Sequence, residues 1–312
     1  MLEQYLWVEK YRPQKITDTI LPASLKAMFQ NYVDQGNVPN MILDGSPGIG
    51  KTTVARALLE EIGNDYIIIN GSMNGNIDTL RNEISDYASG MSFSGKRKYV
   101  ILDEADYLNP NSTQPALRNF MEEFSSNCGF ILTCNKKNRI LPALHSRAPV
   151  VEFKITKEEM PKLASQFMKR VDFILNSENI KYDKKVIAAV ISNHFPDWRR
   201  VLNELQKYSA RGVIDTGILS DFEELPIKEI IKLCKNKQFD ALRKWLAENP
   251  EVDQNDMFRL IYEYADTSFV KSSIPVLVMK IAEYQFKGSF VANQEINLLS
   301  FFVEIIRECE YL

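Results

Sequence analysis

Cysteine is scarce in this 312-residue chain, and what little there is excludes several chemistries. Cys128, Cys134, Cys234 and Cys309 show none of the closely spaced pairs that a zinc site or a disulfide framework needs. Free, mostly buried thiols in a reducing compartment are therefore expected. Long apolar runs are missing too: none approaches the roughly 18–20 residues that span a bilayer, so no membrane partner is expected. The opening "MLEQYLWVEK" lacks the basic flank and apolar core of a secretory signal, which points to the cytoplasm. A dominant charge is also absent. With 38 Lys+Arg against 41 Asp+Glu the net charge is −3, so no overall field recruits nucleic acid, and any such contact must come from local basic positions. Internal repeats and low-complexity segments are not found.

What remains is the composition of an ordinary globular protein, 45% hydrophobic and 25% charged, long enough for two or three domains. The first half alternates short apolar runs with helical periodicity. Candidate strands are "MILD" (41–44), "YIIIN" (66–70), "YVILDE" (99–104), "FILTCN" (130–135) and "VVEF" (150–153), with helices expected at 51–62, 77–89 and 112–124. Runs that are apolar on both faces and separated by helices predict a parallel sheet covered on both sides. After Phe153 only helical segments are read: 157–176, 183–194, 197–209, 224–235, 238–248, 254–266, 274–286 and 292–310. A loop around "SARGVIDTGILSDFEELP" divides this helical half. Residues 223–312 carry 11 Lys+Arg against 15 Asp+Glu, a modest shift that suits a boundary. The expected organisation is an α/β nucleotide-binding domain (1–154), a helical lid (155–222) and an all-α collar (223–312). In the last segment, "INLLSFFVEIIRECEYL" has an apolar stripe that fits core packing, or else a surface for a neighbouring subunit.

The chemistry concentrates in "GSPGIGKT" (45–52), which fits the P-loop pattern directly after a strand and before a helix. Gly45, Gly48 and Gly50 allow a loop whose amides point inward at phosphate oxygens. Ser46, Pro47 and Ile49 complete that cradle, and Thr53 follows in the first helical turn. The helix adds the positive end of its dipole. Lys51 can reach the β- and γ-phosphates, and Thr52 offers a hydroxyl to Mg²⁺. Some fifty residues on, "YVILDEAD" delivers Asp103 and Glu104 at the end of an apolar strand. In open α/β sheets that carboxyl edge is where ligands bind. Asp103 is the candidate Mg²⁺ partner and Glu104 the group that orients or deprotonates an attacking water. "FILTCN" brings Asn135 to the same edge, where it can be a turn former or can orient that water and sense the γ-phosphate. A DEAD-box helicase is rejected despite "DEAD", because nothing after Phe153 supplies the strands of a second such domain.

The order P-loop, "DEAD", Asn135, Arg147 and "FPDWRRVLNEL" resembles AAA+ ATPases. More narrowly, "WVEKYRP" (7–13), "NGSMNGNIDTLRNEISDYAS", "LRNFMEEFSSN" and the "SRAP" of "LHSRAP" (144–149) are similar to the sliding-clamp loaders of the replication factor C group. "FPDWRR" with "SARGVIDTGILS" is similar to the phage branch of that family, which would place the protein in a bacterial host's cytoplasm. The resemblance covers residues 5 to about 220 with specific motifs. It implies ATP and Mg²⁺ as cofactors, hydrolysis stimulated by DNA and clamp, and as partners a sliding clamp, primer–template DNA and other loader subunits in a pentameric assembly. Arg147 would be the arginine finger that completes the adjacent subunit's site. Arg199 would close the lid on the chain's own nucleotide, whereas Arg200 reads as surface. Val8, Tyr11, Arg12 and Pro13 would wrap the adenine. Arg81 would meet DNA phosphate, and Gln114 would lie in the helix that couples DNA contact to Glu104.

Two departures stand out. Pro115 follows Gln114, so the helix there either starts late or is kinked. Ala148 replaces the cysteine usual after the finger arginine. "GKRK" (95–98) and "KKNR" (136–139) are local basic clusters that read either as solvated turns or as DNA contacts. The rival functions are another AAA+ replication ATPase, such as a helicase loader or a branch-migration motor, and a non-catalytic scaffold subunit. Binding to a ring-shaped clamp separates the first from a loader. The presence of Lys51, Thr52, Asp103, Glu104 and Arg147 argues against the second.

Overall fold

A computed structural model describes residues 5–72, 77–90, 92, 95–210, 212–215, 227–249, 252–288 and 290–312. The chain forms two compact units, Met1–Ser220 and Asp221–Leu312. The expected division near residue 222 lies outside the described residues.

The first unit opens with a single helical turn, α1 (Trp7–Lys10), and a helix α2 (Ala23–Gln35) that the sequence reading missed. There follow β1 (Met41–Asp44), α3 (Lys51–Ile62), β2 (Tyr66–Asn70), α4 (Ile77–Ser89), β3 (Lys98–Asp103), α5 (Thr113–Glu123), β4 (Cys128–Cys134), α6 (Pro142–His145) and β5 (Val150–Glu152). The five strands form one parallel sheet in the order β2-β3-β4-β1-β5. Alternation along β3 shows why both faces are apolar. Val100 and Leu102 pack on a core with Leu80 and Ile84 of α4 and Leu117 and Phe120 of α5. Tyr99 and Ile101 pack on the opposite core with Phe29 of α2 and Val54 and Leu58 of α3. Side chains two apart share a face, so Asp103 continues the Tyr99–Ile101 row toward the start of α3.

The lid follows as α7 (Met160–Ser177), β6 (Lys181–Tyr182), α8 (Lys184–His194), α9 (Trp198–Ser209) and β7 (Val213–Ile214). The two short strands pair in parallel and correct the expectation of helices alone after Phe153. Two residues per strand are too few to show a period of two. Asp183 and Asp197 cap α8 and α9, each accepting a hydrogen bond from a backbone N–H of the first turn. Trp198 packs on Phe167 of α7, ring centroids 4.4 Å apart, which fixes α9 against α7.

The second unit comprises α10 (Ile227–Lys235), α11 (Phe239–Glu248), α12 (Gln254–Glu263), α13 (Ala265–Ser268), α14 (Ile274–Gly288) and α15 (Gln294–Glu308). Its core joins Phe258, Leu277, Leu298, Phe301, Phe302 and Ile305. The stripe in "INLLSFFVEIIRECEYL" is thus mainly core, although Ile296 and Val303 remain exposed.

Candidate active site

The loop between β1 and α3 turns on Gly48 and Gly50, both at positive φ (71° and 103°), where a side chain would be strained. Gly50 caps α3 without a side-chain hydrogen bond, so the first amides of that helix have no intrahelical partner. Lys51 is buried at the start of α3. Its Nζ donates to Gly45 O (2.6 Å), Ser46 O (2.9 Å) and Asn135 Oδ1 (2.9 Å). Burial pushes the ammonium pKa down, while Asp103, Asp106 and Asp44 nearby oppose the shift. Thr52 Oγ1 donates to Asp103 Oδ1 at 2.6 Å. P-loop, strand-end acid and strand-end Asn therefore meet at one edge of the sheet.

Two residues of this cluster escaped the sequence reading. Thr133 Oγ1 donates to Asp103 Oδ1 (2.6 Å) and accepts from the Glu104 N–H (3.1 Å), which locks the β3 end to β4. A buried hydroxyl inside the apolar run "FILTCN" was the signal available. Asp106 is also buried and accepts from the Asn135 N–H at 3.3 Å. Glu104 itself leaves the strand in a left-handed conformation, φ 55°, which is rare for a side-chain-bearing residue and concentrates at functional sites. Its carboxylate makes no hydrogen bond among the described residues.

A cleft between the P-loop, the lid and the amino-terminal arm collects the other expected contacts. Val8, Tyr11, Arg12 and Pro13 line it with Gly48, Ile49, Gly50, Lys51, Thr52 and Thr53, and Arg199 faces it from α9. The arm is held chiefly by the lid. The Trp7 N–H donates to Gln206 Oε1 (2.9 Å), Arg170 Nη2 donates to Tyr11 O (2.9 Å), and the Tyr11 hydroxyl donates to Glu178 (2.6 Å). Arg12 is already occupied, pairing with Glu9 and donating to Thr53 Oγ1 (3.2 Å). Arg199 is exposed and has no hydrogen bond or ion pair among the described residues. The lid also touches the loop directly. The Trp198 N–H donates to Gly48 O at 3.2 Å, and a Cβ on Gly48 would lie 1.7 Å from Asp197 Oδ1.

Gln114 does not reach a surface and so is not itself a ligand contact. It is buried; its amide donates to Leu108 O and Arg139 O (3.0 Å each), and its carbonyl accepts from the Leu141 N–H (2.8 Å). Pro115 causes no kink. α5 starts at Thr113, so the missing N–H falls in the first turn, where it has no helical partner to lose. The "GKRK" cluster is mostly committed to carbonyls: Lys96 to Ile62, Arg97 to Ser125 and Cys128, and buried Lys98 to Tyr87 and Gly90. Lys137 of "KKNR" pairs with Glu152. Arg81 is exposed on α4. Arg147 follows α6, is about one-quarter exposed, and pairs with Glu122 of α5.

Residues 41–156 match the family described as "ATPase family associated with various cellular activities (AAA)". Residues 159–220 match the "Sliding-clamp-loader large subunit, AAA+ ATPase lid domain". The sliding-clamp-loader large subunit of Enterobacteria phage T4 is 34% identical over 99% of this chain and 98% of its own length. The chain belongs to the AAA+ sliding-clamp-loader family. The corresponding protein of Escherichia phage RB69 is 39% identical over 77% of each chain. The replication factor C small subunit of Methanocella arvoryzae is 30% identical over 96% of this chain and 95% of that one. Among solved structures, RuvB variants of Thermotoga maritima superpose with a TM-score of 0.53 at 15–17% identity, covering 76% of this chain and 85–86% of theirs. That likeness shows the AAA fold alone. This member of the clamp-loader family is accordingly an AAA ATPase, and no helix among its described residues is long and apolar enough to cross a membrane.

Proposed function

We propose that the protein is an ATPase subunit of a loader that opens a ring-shaped sliding clamp and places it on primer–template DNA, working with other loader subunits in a pentameric assembly. The observation that carries this is the convergence of Lys51, Asn135, Thr52 and Asp103 on one sheet edge, in a chain whose lid matches that family. Phosphate oxygens are stronger acceptors than the loop carbonyls Lys51 now holds. Nucleotide entry would turn the ammonium toward the β- and γ-phosphates and free Asn135 to orient water. Glu104, with no hydrogen bond on its carboxylate among the described residues, would take that water's proton. Thr52 and Asp103 fit Mg²⁺: a hydroxyl and a carboxylate oxygen 2.6 Å apart are hard oxygen donors. No group of three or more acidic, His or Cys side chains among the described residues forms a metal cage of its own, so phosphate and water would complete the coordination. When bound, the cation would neutralise charge on the phosphates.

In this reading Arg199, exposed and uncommitted, reports the γ-phosphate to the lid, and α9 closes through its contact with Gly48. Val8, Tyr11, Arg12 and Pro13 cover the adenine. Arg147 completes the neighbouring subunit's site, Arg81 meets DNA phosphate, and DNA and clamp stimulate turnover. Phosphate contacts of this kind make loading salt-dependent. The test is Arg147→Ala in the assembled loader. ATP binding should stay within about twofold while DNA- and clamp-stimulated turnover falls by roughly 10³-fold or more. A lone chain that hydrolyses ATP at the full assembled rate would refute the shared site.

A further inference from the structure

Arg147 is not free to act in this structure. Its Nε donates to Glu122 Oε1 at 2.8 Å and Nη2 donates to the same oxygen. Its Nη1 donates to Ala143 O (2.9 Å) and Ser146 Oγ (3.1 Å). A guanidinium has five N–H groups in a planar fork, and these four contacts leave one, on Nη2. Fork-on recognition of a phosphate needs two parallel N–H groups. The finger as placed can offer at most one. Something in its own chain must let go before it can serve another site.

Ala143 and Ser146 are local contacts within four residues, made by the turn that carries the arginine. Glu122 is different. It comes from the far end of α5, 25 residues away in sequence, and supplies the opposing charge. We propose that Glu122 is a positioning residue for the finger, holding Arg147 in a parked state that the neighbour's γ-phosphate must out-compete. The inference rests on the reading of Arg147 as a finger acting in trans. The guanidinium holds the Glu122 carboxyl below the usual carboxylate range, so the pair stays ionised at working pH. Glu122 is about half exposed, so water and salt screen the pair and keep the competition modest. A loosely docked neighbour would then fail to draw the arginine away, whereas a tightly docked one would succeed. Glu122 thereby makes hydrolysis conditional on a closed interface.

The test compares Glu122→Gln and Glu122→Ala with the native chain in the assembled loader, measuring ATP turnover without and with primer–template oligonucleotide and clamp. Releasing the finger should raise the unstimulated kcat about fivefold, with KM for ATP within twofold. The stimulated rate should change little, so the stimulation ratio falls. Thermal melting of each variant establishes folding, and Arg147→Ala with Arg147→Ala/Glu122→Gln complete the set. The gain must vanish in the double variant. Unchanged or lowered unstimulated turnover in both Glu122 variants, with Arg147→Ala still defective, overturns the parking role alone. An undiminished Arg147→Ala enzyme overturns the finger reading and the parking role with it.

Discussion

Substituting Gly48 by alanine tests whether the lid reads the P-loop through direct packing. Alanine at φ 71° costs about 1 kcal/mol in left-handed strain. Its Cβ would also lie 1.7 Å from Asp197 Oδ1 and 2.2 Å from Cγ. That carboxylate cannot simply swing away, because Oδ1 accepts the Arg200 N–H at 2.9 Å and caps α9. Giving up the cap costs about another 1 kcal/mol. Gly48→Ala should therefore destabilise the first unit by about 2 kcal/mol, and Asp197→Ala by about 1 kcal/mol. Once the carboxylate is gone, the double variant should lose about 2 kcal/mol, not the 3 kcal/mol of independent sites. Urea denaturation followed by tryptophan fluorescence is the assay, since Trp7 and Trp198 are both buried in this unit. Simple additivity, or a loss under about 0.5 kcal/mol for Gly48→Ala, would refute the packing argument.

Three further outcomes are expected. Lys51→Ala should weaken binding of a fluorescent ATP analogue at least tenfold if, as proposed, the buried ammonium meets the β- and γ-phosphates; binding titration checks it. Gln114→Ala strands the buried Leu108 carbonyl and leaves the half-buried Arg139 carbonyl and Leu141 N–H without their partner, so a loss of about 2 kcal/mol is expected in urea denaturation. Burial pushes the Cys128 thiol up to about 11 and Cys134 and Cys234 to about 12, against about 8.5 when unfolded. The folded chain keeps these protons where the unfolded chain loses them. Their contribution to stability is therefore full below about pH 8.5 and declines as pH rises toward 11–12; thermal melts across that range, and slow native labelling by a thiol reagent at pH 8, report it.

Much of the architecture was legible because parallel strands buried on both faces leave an unbroken apolar signature. Val100 and Leu102 serve one core and Tyr99 and Ile101 the other, so no polar face interrupts "YVIL". The P-loop was legible for a related reason: its glycines and Lys51 are dictated by phosphate geometry at short range. α2 escaped notice because Phe29 is its only fully buried side chain, too weak a stripe to read. Two-residue strands such as β6 and β7 have no period to detect.

The sequence by itself determined the alternation of strand and helix, the nucleotide loop and the acids at a strand's end, since each depends on neighbours a few residues away. The tertiary structure alone decided the strand order, the lock that Thr133 places on Asp103 and Glu104, and the seating of Asp197 against Gly48. It also decided that the lid carries the amino-terminal arm and that Glu122 holds Arg147. These contacts join residues from 25 to about 200 positions apart. Only the packed fold sets those distances, because side-chain electrostatics and hydrogen bonding act through space and not along the chain.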